Sequence, residues 1–210
     1  MNPYKVTEDF EKAIADYTGA PFVVALDSCT SAIFLSLYYE GIKGKEIEIP
    51  SITYMSVPCE IIHAGGTVKF SPVDDNAPFL KGAYNLKGTK TWDSALRFTA
   101  DMYISDTFMC CSFTGKHKPL KLGKGGCILT DNEDAYKWFK RARFSGRMEC
   151  EYSGDDFDML GWNYYLNPMI STLGLLLMGQ FYNQAGSKKE MPDVSLIYPD
   201  LSQYPIYKTK

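Results

Sequence analysis

The sequence predicts an α/β fold of three layers, a mostly parallel sheet flanked by helices. Short, continuous apolar runs such as residues 22–26 and 108–113 read as strands buried on both faces. Between them lie segments with apolar residues at helical spacing, the first carrying Phe10, Ile14 and Tyr17. Over the first 70 residues these alternate as β-α-β-α-β behind an entry helix, and 210 residues with a 45% hydrophobic content can bury one sizeable core.

Thr7, with Glu8 and Asp9, opens the entry helix, since acids suit the positive end of a helix dipole. Residues 22–26 form a strand, and Asp27-Ser28-Cys29-Thr30-Ser31 turns it into a helix from about Ala32 to Tyr39, stopped by Gly41. Residues 46–49 form a strand ending at Pro50, residues 54–64 a helix closed by Gly65-Gly66, and residues 67–70 a strand. From Asp74 to Thr91 the pattern lapses into Asn, Pro, Gly and Lys and reads as loop. Thr91-Trp92 leads as a short strand into Asp93, and a strand pair (108–113 and 127–130) brackets a glycine-rich lysine loop. Residues 134–144 read as an amphipathic helix, 145–160 as a polar surface loop and 168–182 as a buried helix. The domain ends near residue 185, and residues 186–210, with Pro192, Pro199 and Pro205, form an extended or loosely attached tail.

A formal net charge of −3 without a basic stripe argues against a nucleic-acid or anionic-membrane partner. The six cysteines form no C-x-x-C pair, and with no secretory leader in view a reducing cytoplasm is the expected compartment. The longest apolar run, residues 169–178, is too short to span a bilayer. With His63 and His117 as the only histidines, no metal site is expected.

Four places could carry chemistry. Ser28, Cys29, Thr30 and Ser31 lie at a helix N-terminus, where free N–H groups and hydroxyls make a phosphate cup or a plain N-cap. Tyr54 follows a strand and could stack on a flat ring or be a rim tyrosine. Asp93 could pair with a protonated pyridine nitrogen or cap a helix. Within Ser112-Phe113-Thr114-Gly115-Lys116-His117-Lys118, a lysine between two strands either faces water or stands beside a fixed electrophile, as a Schiff base with an aldehyde requires. All four fall at the carboxyl edge of one sheet, where open α/β folds bind ligands.

In order and wording these motifs resemble the DegT/DnrJ/EryC1/StrS family of aminotransferases, which use pyridoxal 5'-phosphate to aminate keto-sugars linked to nucleotides. The matching segments are residues 10–19, Asp27 to Ala32 (S-x-T-x-A), Ile49 to Tyr54, Gly65 to Phe70 with Val73-Asp74, Asp93-Ser94-Ala95, Ser112 to Gly126, and Gly161-Trp162-Asn163-Tyr164. The resemblance implies a truncated fold type I large domain. It also implies that Thr30, Ser31, the Cys29 backbone and Ser112 hold the cofactor phosphate, that Tyr54 stacks on the pyridine ring and that Asp93 binds its nitrogen. Lys118 would form the Schiff base and shuttle the proton; it stands five residues before Gly123 of G-x-G-G, with Lys116 the second choice. Asn163 would reach the phosphate of a neighbouring subunit, implying a homodimer.

The chain departs from the family pattern at Leu96, where a polar residue is usual, and at Tyr165, where arginine is usual. The segment between Asp74 and Asp93 is short, and the C-terminal small domain is missing. Two functions are therefore expected. One is a minimal aminotransferase passing an amino group from an amino acid, glutamate, to a keto-sugar nucleotide. The other is a reduced relative that binds the cofactor without transaminating, as a regulatory or assembly protein or in simpler chemistry.

Overall fold

The computed structural model describes residues 4–72, 82–183 and 198–208. Helix α1 (Lys5–Thr18) buries Phe10 and Ile14 completely and ends at Gly19, whose φ of 76° lets its N–H close on the Ala15 carbonyl. Strand β1 (Phe22–Leu26) has the bounds its apolar run predicts. Helix α2 (Cys29–Tyr39) starts three residues before Ala32, because Ser28 Oγ accepts the Ser31 N–H at 3.1 Å and caps an earlier first turn. Strand β2 (Glu46–Pro50), helix α3 (Ser56–His63) and strand β3 (Thr67–Ser71) follow, with β2 and β3 paired in parallel.

The main sheet is completed by β4 (Tyr84–Asn85), β5 (Thr91–Ser94), β6 (Phe108–Ser112) and β7 (Gly126–Thr130), in the order β1-β7-β6-β5-β4. The layers are those expected, but the five-stranded sheet is mixed rather than mostly parallel, and β2, which Tyr54 follows, pairs with β3 in a separate two-stranded sheet. The β5–β6 pair is parallel, while β1–β7, β6–β7 and β4–β5 are antiparallel. The lysine loop joins β6 to β7, and a tight turn joins β4 to β5; such short links return the chain antiparallel. Strand β4 lies inside the stretch read as loop, whose residues 73–81 are outside the described set.

Side chains alternate between the two faces of the sheet. Val24, Cys110 and Ile128 join α2, α3 and Phe139 of α4 (Glu133–Ala142) on one side. Val23, Ala25, Met109, Cys111 and Leu129 join α1 and α5 (Pro168–Asn183) on the other. A buried ionic cluster ties α4 to α1 and β1. Arg143 bonds Glu11, the Ala25 carbonyl at 2.6 Å and Glu149 at 2.8 Å, and Lys140 contacts Glu11 at 3.2 Å and Glu149 at 3.0 Å.

Within the 145–160 loop, Asp156 is held by Arg141 at 2.7 Å, and Arg147 stacks on Tyr152 at 4.0 Å. The tail, expected to be loose, is docked where it is described. Leu201 is buried and donates its N–H to the Ser51 carbonyl at 2.8 Å, while residues 184–197 lie outside the described residues.

Candidate active site

Strand register gathers the chemistry at one edge. Leu26 at the end of β1 faces Gly126 at the start of β7, Gly126 faces Ser112 at the end of β6, and Cys111 faces Ser94 at the end of β5. The turns after β1, β5 and β6 therefore leave the sheet together, bringing the α2 N-terminus, Asp93 and the lysine loop side by side.

Asp93 is buried, 6% exposed, and its Oδ1 accepts the Ala95 N–H at 2.9 Å. Register places Tyr84 directly opposite it, and the Tyr84 hydroxyl lies 2.5 Å from Thr53 Oγ1 and within hydrogen-bonding reach of the Asp93 carboxylate. Burial pushes the Asp93 carboxyl above its usual range, against the pull of the Ala95 N–H, the Lys118 charge and the Tyr84 hydroxyl.

The lysine loop is held at its base by Phe113 N–H to the Gly125 carbonyl at 2.9 Å and Leu122 N–H to the Phe113 carbonyl at 3.0 Å. Leu120 and Leu122 are buried, which turns Lys118 inward while Lys116 and His117 are exposed. Burial lowers the Lys118 ammonium below the ordinary lysine range, opposed by Cys29, Asp93 and Cys111, all near enough to act on it. The Cys29 thiol donates to the Cys110 carbonyl at 3.3 Å, and burial raises its pKa well above the ordinary thiol range, so it is no thiolate at neutral pH.

At the α2 N-terminus, Thr30 Oγ1 donates to Ser56 Oγ at 3.0 Å. Ser31 Oγ donates to Asp27 Oδ1 at 2.6 Å, and Ser28 Oγ lies 3.1 Å from the same oxygen. Lys124 approaches Asp27 Oδ2 at 3.8 Å. Ser112 is buried and accepts the Thr114 N–H at 3.3 Å. Tyr54 is half-exposed with its ring 5.8 Å from that of Tyr198, and Asn163 is exposed beside α4, its backbone bridged to Phe144.

Cys29, Thr30, Ser31, Asp93, Ser112 and Lys118 thus come to one edge, with Tyr54 linked to it through Thr53 and Tyr84. Asn163 is exposed, next to Tyr164, whose carbonyl accepts the Asp27 N–H at 2.8 Å. Tyr84, Asp27 and Tyr198 were missed from sequence. A period-2 reading of Tyr84-Asn85 was the one local signal for the first, and Asp27 adjoined a motif already noted.

The model of the DegT/DnrJ/EryC1/StrS aminotransferase family matches residues 1–81 of this chain. That span holds the motifs through Phe70; Asp93, the lysine loop and Asn163 follow it. The spore coat polysaccharide biosynthesis protein SpsC of Bacillus subtilis is 41% identical over 70 residues, 33% of this chain and 18% of that one. A UDP-4-amino-4,6-dideoxy-N-acetyl-beta-L-altrosamine transaminase of Campylobacter jejuni is 23% identical over 209 residues, 81% of this chain and 56% of that one. Among solved structures, a PLP-dependent aminotransferase from Bacillus cereus superposes with a TM-score of 0.71 at 19% identity, covering 87% of this chain and 60% of that one. PseC of Helicobacter pylori, an aminotransferase of pseudoaminic acid biosynthesis, gives a TM-score of 0.70 at 16% identity, over 83% and 57%. The chain shares its fold with these aminotransferases, and the resemblance to the DegT/DnrJ/EryC1/StrS family holds over the matched residues. The chain spans less than two thirds of the length of these relatives.

Proposed function

We propose that this chain binds pyridoxal 5'-phosphate and serves amino-group transfer to a nucleotide-linked keto-sugar, with glutamate as amino donor. The observation that carries the reading is the placement of Lys118 and Asp93, two desolvated groups of opposite charge, at the sheet edge that also presents the α2 N-terminus.

The donor set suits the cofactor. A phosphate needs N–H and O–H donors, available from the first turn of α2 and from Thr30, Ser31 and Ser112. A protonated pyridine needs a buried carboxylate, and an aldehyde needs an amine. When bound, pyridoxal phosphate supplies an aldehyde that takes up amines and a ring that withdraws electrons from the carbon beside them. Asp93 holds the proton on the pyridine nitrogen. Burial makes the Lys118 ammonium easier to deprotonate, leaving a nucleophilic amine that can later carry a proton. Tyr84 and the Ala95 N–H orient the Asp93 carboxylate, and Tyr54 offers an aromatic face. The hydroxyls of Ser28 and Ser31 now turned to Asp27 would be shared with the phosphate. The exposed Asn163 would serve a second copy's phosphate, making the working unit a homodimer.

The departures at Leu96 and Tyr165 favour a second reading, a cofactor-binding protein without transaminase activity. Absorbance separates the two. Protein incubated with pyridoxal phosphate turns yellow, borohydride bleaches it, and glutamate shifts the band if transamination occurs. Lys118→Ala abolishes the band while Lys116→Ala retains it. A colourless wild-type protein refutes both readings, and a yellow protein indifferent to every amino acid leaves the second.

A further inference from the structure

The segment after residue 197 is fastened at two places to the β2–α3–β3 unit. Asp200 bridges to Ile52, Leu201 donates its N–H to the Ser51 carbonyl at 2.8 Å, and the Leu201 side chain is 2% exposed. Asp200 Oδ1 accepts the Ser202 N–H at 3.0 Å, which fixes the turn. Further on, the Tyr207 ring packs edge-on against Phe70 at 6.2 Å. The apolar anchor and the backbone pairing tie this segment down.

The anchor leads the chain back over Tyr54. The rings of Tyr54 and Tyr198 meet at 67° with centroids 5.8 Å apart, an edge-to-face contact. Tyr54 remains 47% exposed, leaving room for a flat ring beside this pair. Burial raises the Tyr198 hydroxyl above the usual phenol range, and the charge of Asp93 adds to the rise.

We propose that residues 198–201 form a wall of the cofactor site, with Tyr198 the positioning residue that closes it beside Tyr54. The proposal rests on the reading of this edge as a pyridoxal phosphate site. In it the chain's own C-terminal segment covers an opening beside the ring. The wall acts by slowing escape of the cofactor and by shielding it from water.

The test uses the full chain, Tyr198→Ala and Tyr198→Phe. Cofactor release is followed by loss of the visible band after dilution. Shielding is read after borohydride fixation, from iodide quenching of the fixed cofactor's fluorescence. An aromatic contact of this kind corresponds to a roughly two- to tenfold change in rate. Tyr198→Ala is expected to release the cofactor faster by that factor and to be quenched more strongly, while Tyr198→Phe behaves as wild type. Melting of the cofactor-free Ala variant at the wild-type temperature excludes a merely structural loss. Should that variant melt low, a Phe variant that releases the cofactor fast overturns the ring-contact role. Unchanged release and quenching in Tyr198→Ala overturn the wall while leaving the cofactor reading intact, as does tighter binding, which would make Tyr198 an obstruction. Lack of a visible band in the wild type refutes the reading on which the wall rests, and the wall with it.

Discussion

Gly126, where the lysine loop enters β7, packs on the backbone of Ser28 and Cys29, and Gly126→Ala tests this packing and the phosphate cup proposed there. A Cβ there would stand 2.4 Å from the Cys29 nitrogen and 2.6 Å from both the Cys111 oxygen and the Ser28 carbonyl carbon. All three are backbone atoms, so no side chain can swing aside. Ordinary contact begins at 3.4 Å, a shortfall of 1.0 Å toward Cys29, which must come from moving the first turn of α2 off β7. Overpacking of this kind costs about 1–3 kcal/mol. At this chain length each kcal/mol lowers the melting temperature by about 2–4 °C, giving a loss of roughly 2–12 °C. The same movement displaces the Cys29 N–H, one of the proposed phosphate donors, and losing one charge-assisted bond would weaken binding about tenfold. Thermal melting and absorbance titration with pyridoxal phosphate measure both effects. Pyridoxal, which lacks the phosphate, should be affected far less. Gly179→Ala is the control: it lies exposed in α5 with nothing within 4 Å of its Cβ position, and helix propensity makes it neutral or stabilising by up to about 1 kcal/mol. A Gly126→Ala protein that melts within a degree of wild type and binds pyridoxal phosphate equally well would refute the close packing of β7 against the cup.

Asp93→Asn should stabilise the cofactor-free protein while abolishing its use of the cofactor. Burial raises the Asp93 pKa, so the folded state holds the proton more tightly than the unfolded chain, and stability falls as pH rises from the ordinary carboxyl value through the raised one. The variant is expected to melt above wild type at pH 7, the gap closing towards pH 4; a variant melting lower at pH 7 would contradict this. Arg143→Met strands Glu11, which is 5% exposed, with only Lys140 and the Ala25 N–H. Breaking one side of a buried pair costs about 3–5 kcal/mol, and denaturant unfolding should show a drop near the lower figure because Lys140 remains.

Much of the fold was legible because its signals are local. The apolar run of β1 and the period of α1 each report one element, and the structure places both there. The start of α2 was displaced because apolar spacing registers only from Ala32, whereas the Ser28 hydroxyl sets the first turn. Strand directions were less accessible, since an apolar run shows that a strand is buried but not which neighbour it pairs with. Tyr84 illustrates this: its place opposite Asp93 is a matter of register between strands six residues apart, in a stretch whose composition reads as loop. The Lys118 spacing was readable, but its environment was not. The inward turn depends on Leu120 and Leu122 finding the core. Tyr198 had no local signal, because its contacts are with residues more than a hundred positions away.

The buried charges around Arg143 and those at the Asp93–Lys118 edge differ in a way that supports the proposed site. Around Arg143, each charged partner has an opposite charge in direct contact: Glu11 and Glu149 each touch both Arg143 and Lys140, so the cluster is neutral and geometrically closed. It fastens helices and leaves no charge for a ligand. Asp93 and Lys118 have no such closure. Each is penalised by burial, and their mutual attraction acts without a direct ion pair between them among the described residues. The folded protein therefore retains two groups that burial makes less stable in their charged forms, at the sheet edge beside free helix N–H groups. Folding alone supplies no reason to keep them there, because neutral residues would pack with less penalty. A ligand carrying an aldehyde, a ring nitrogen and a phosphate, as proposed above, would offer partners at all three places, whereas the cluster around Arg143 needs none.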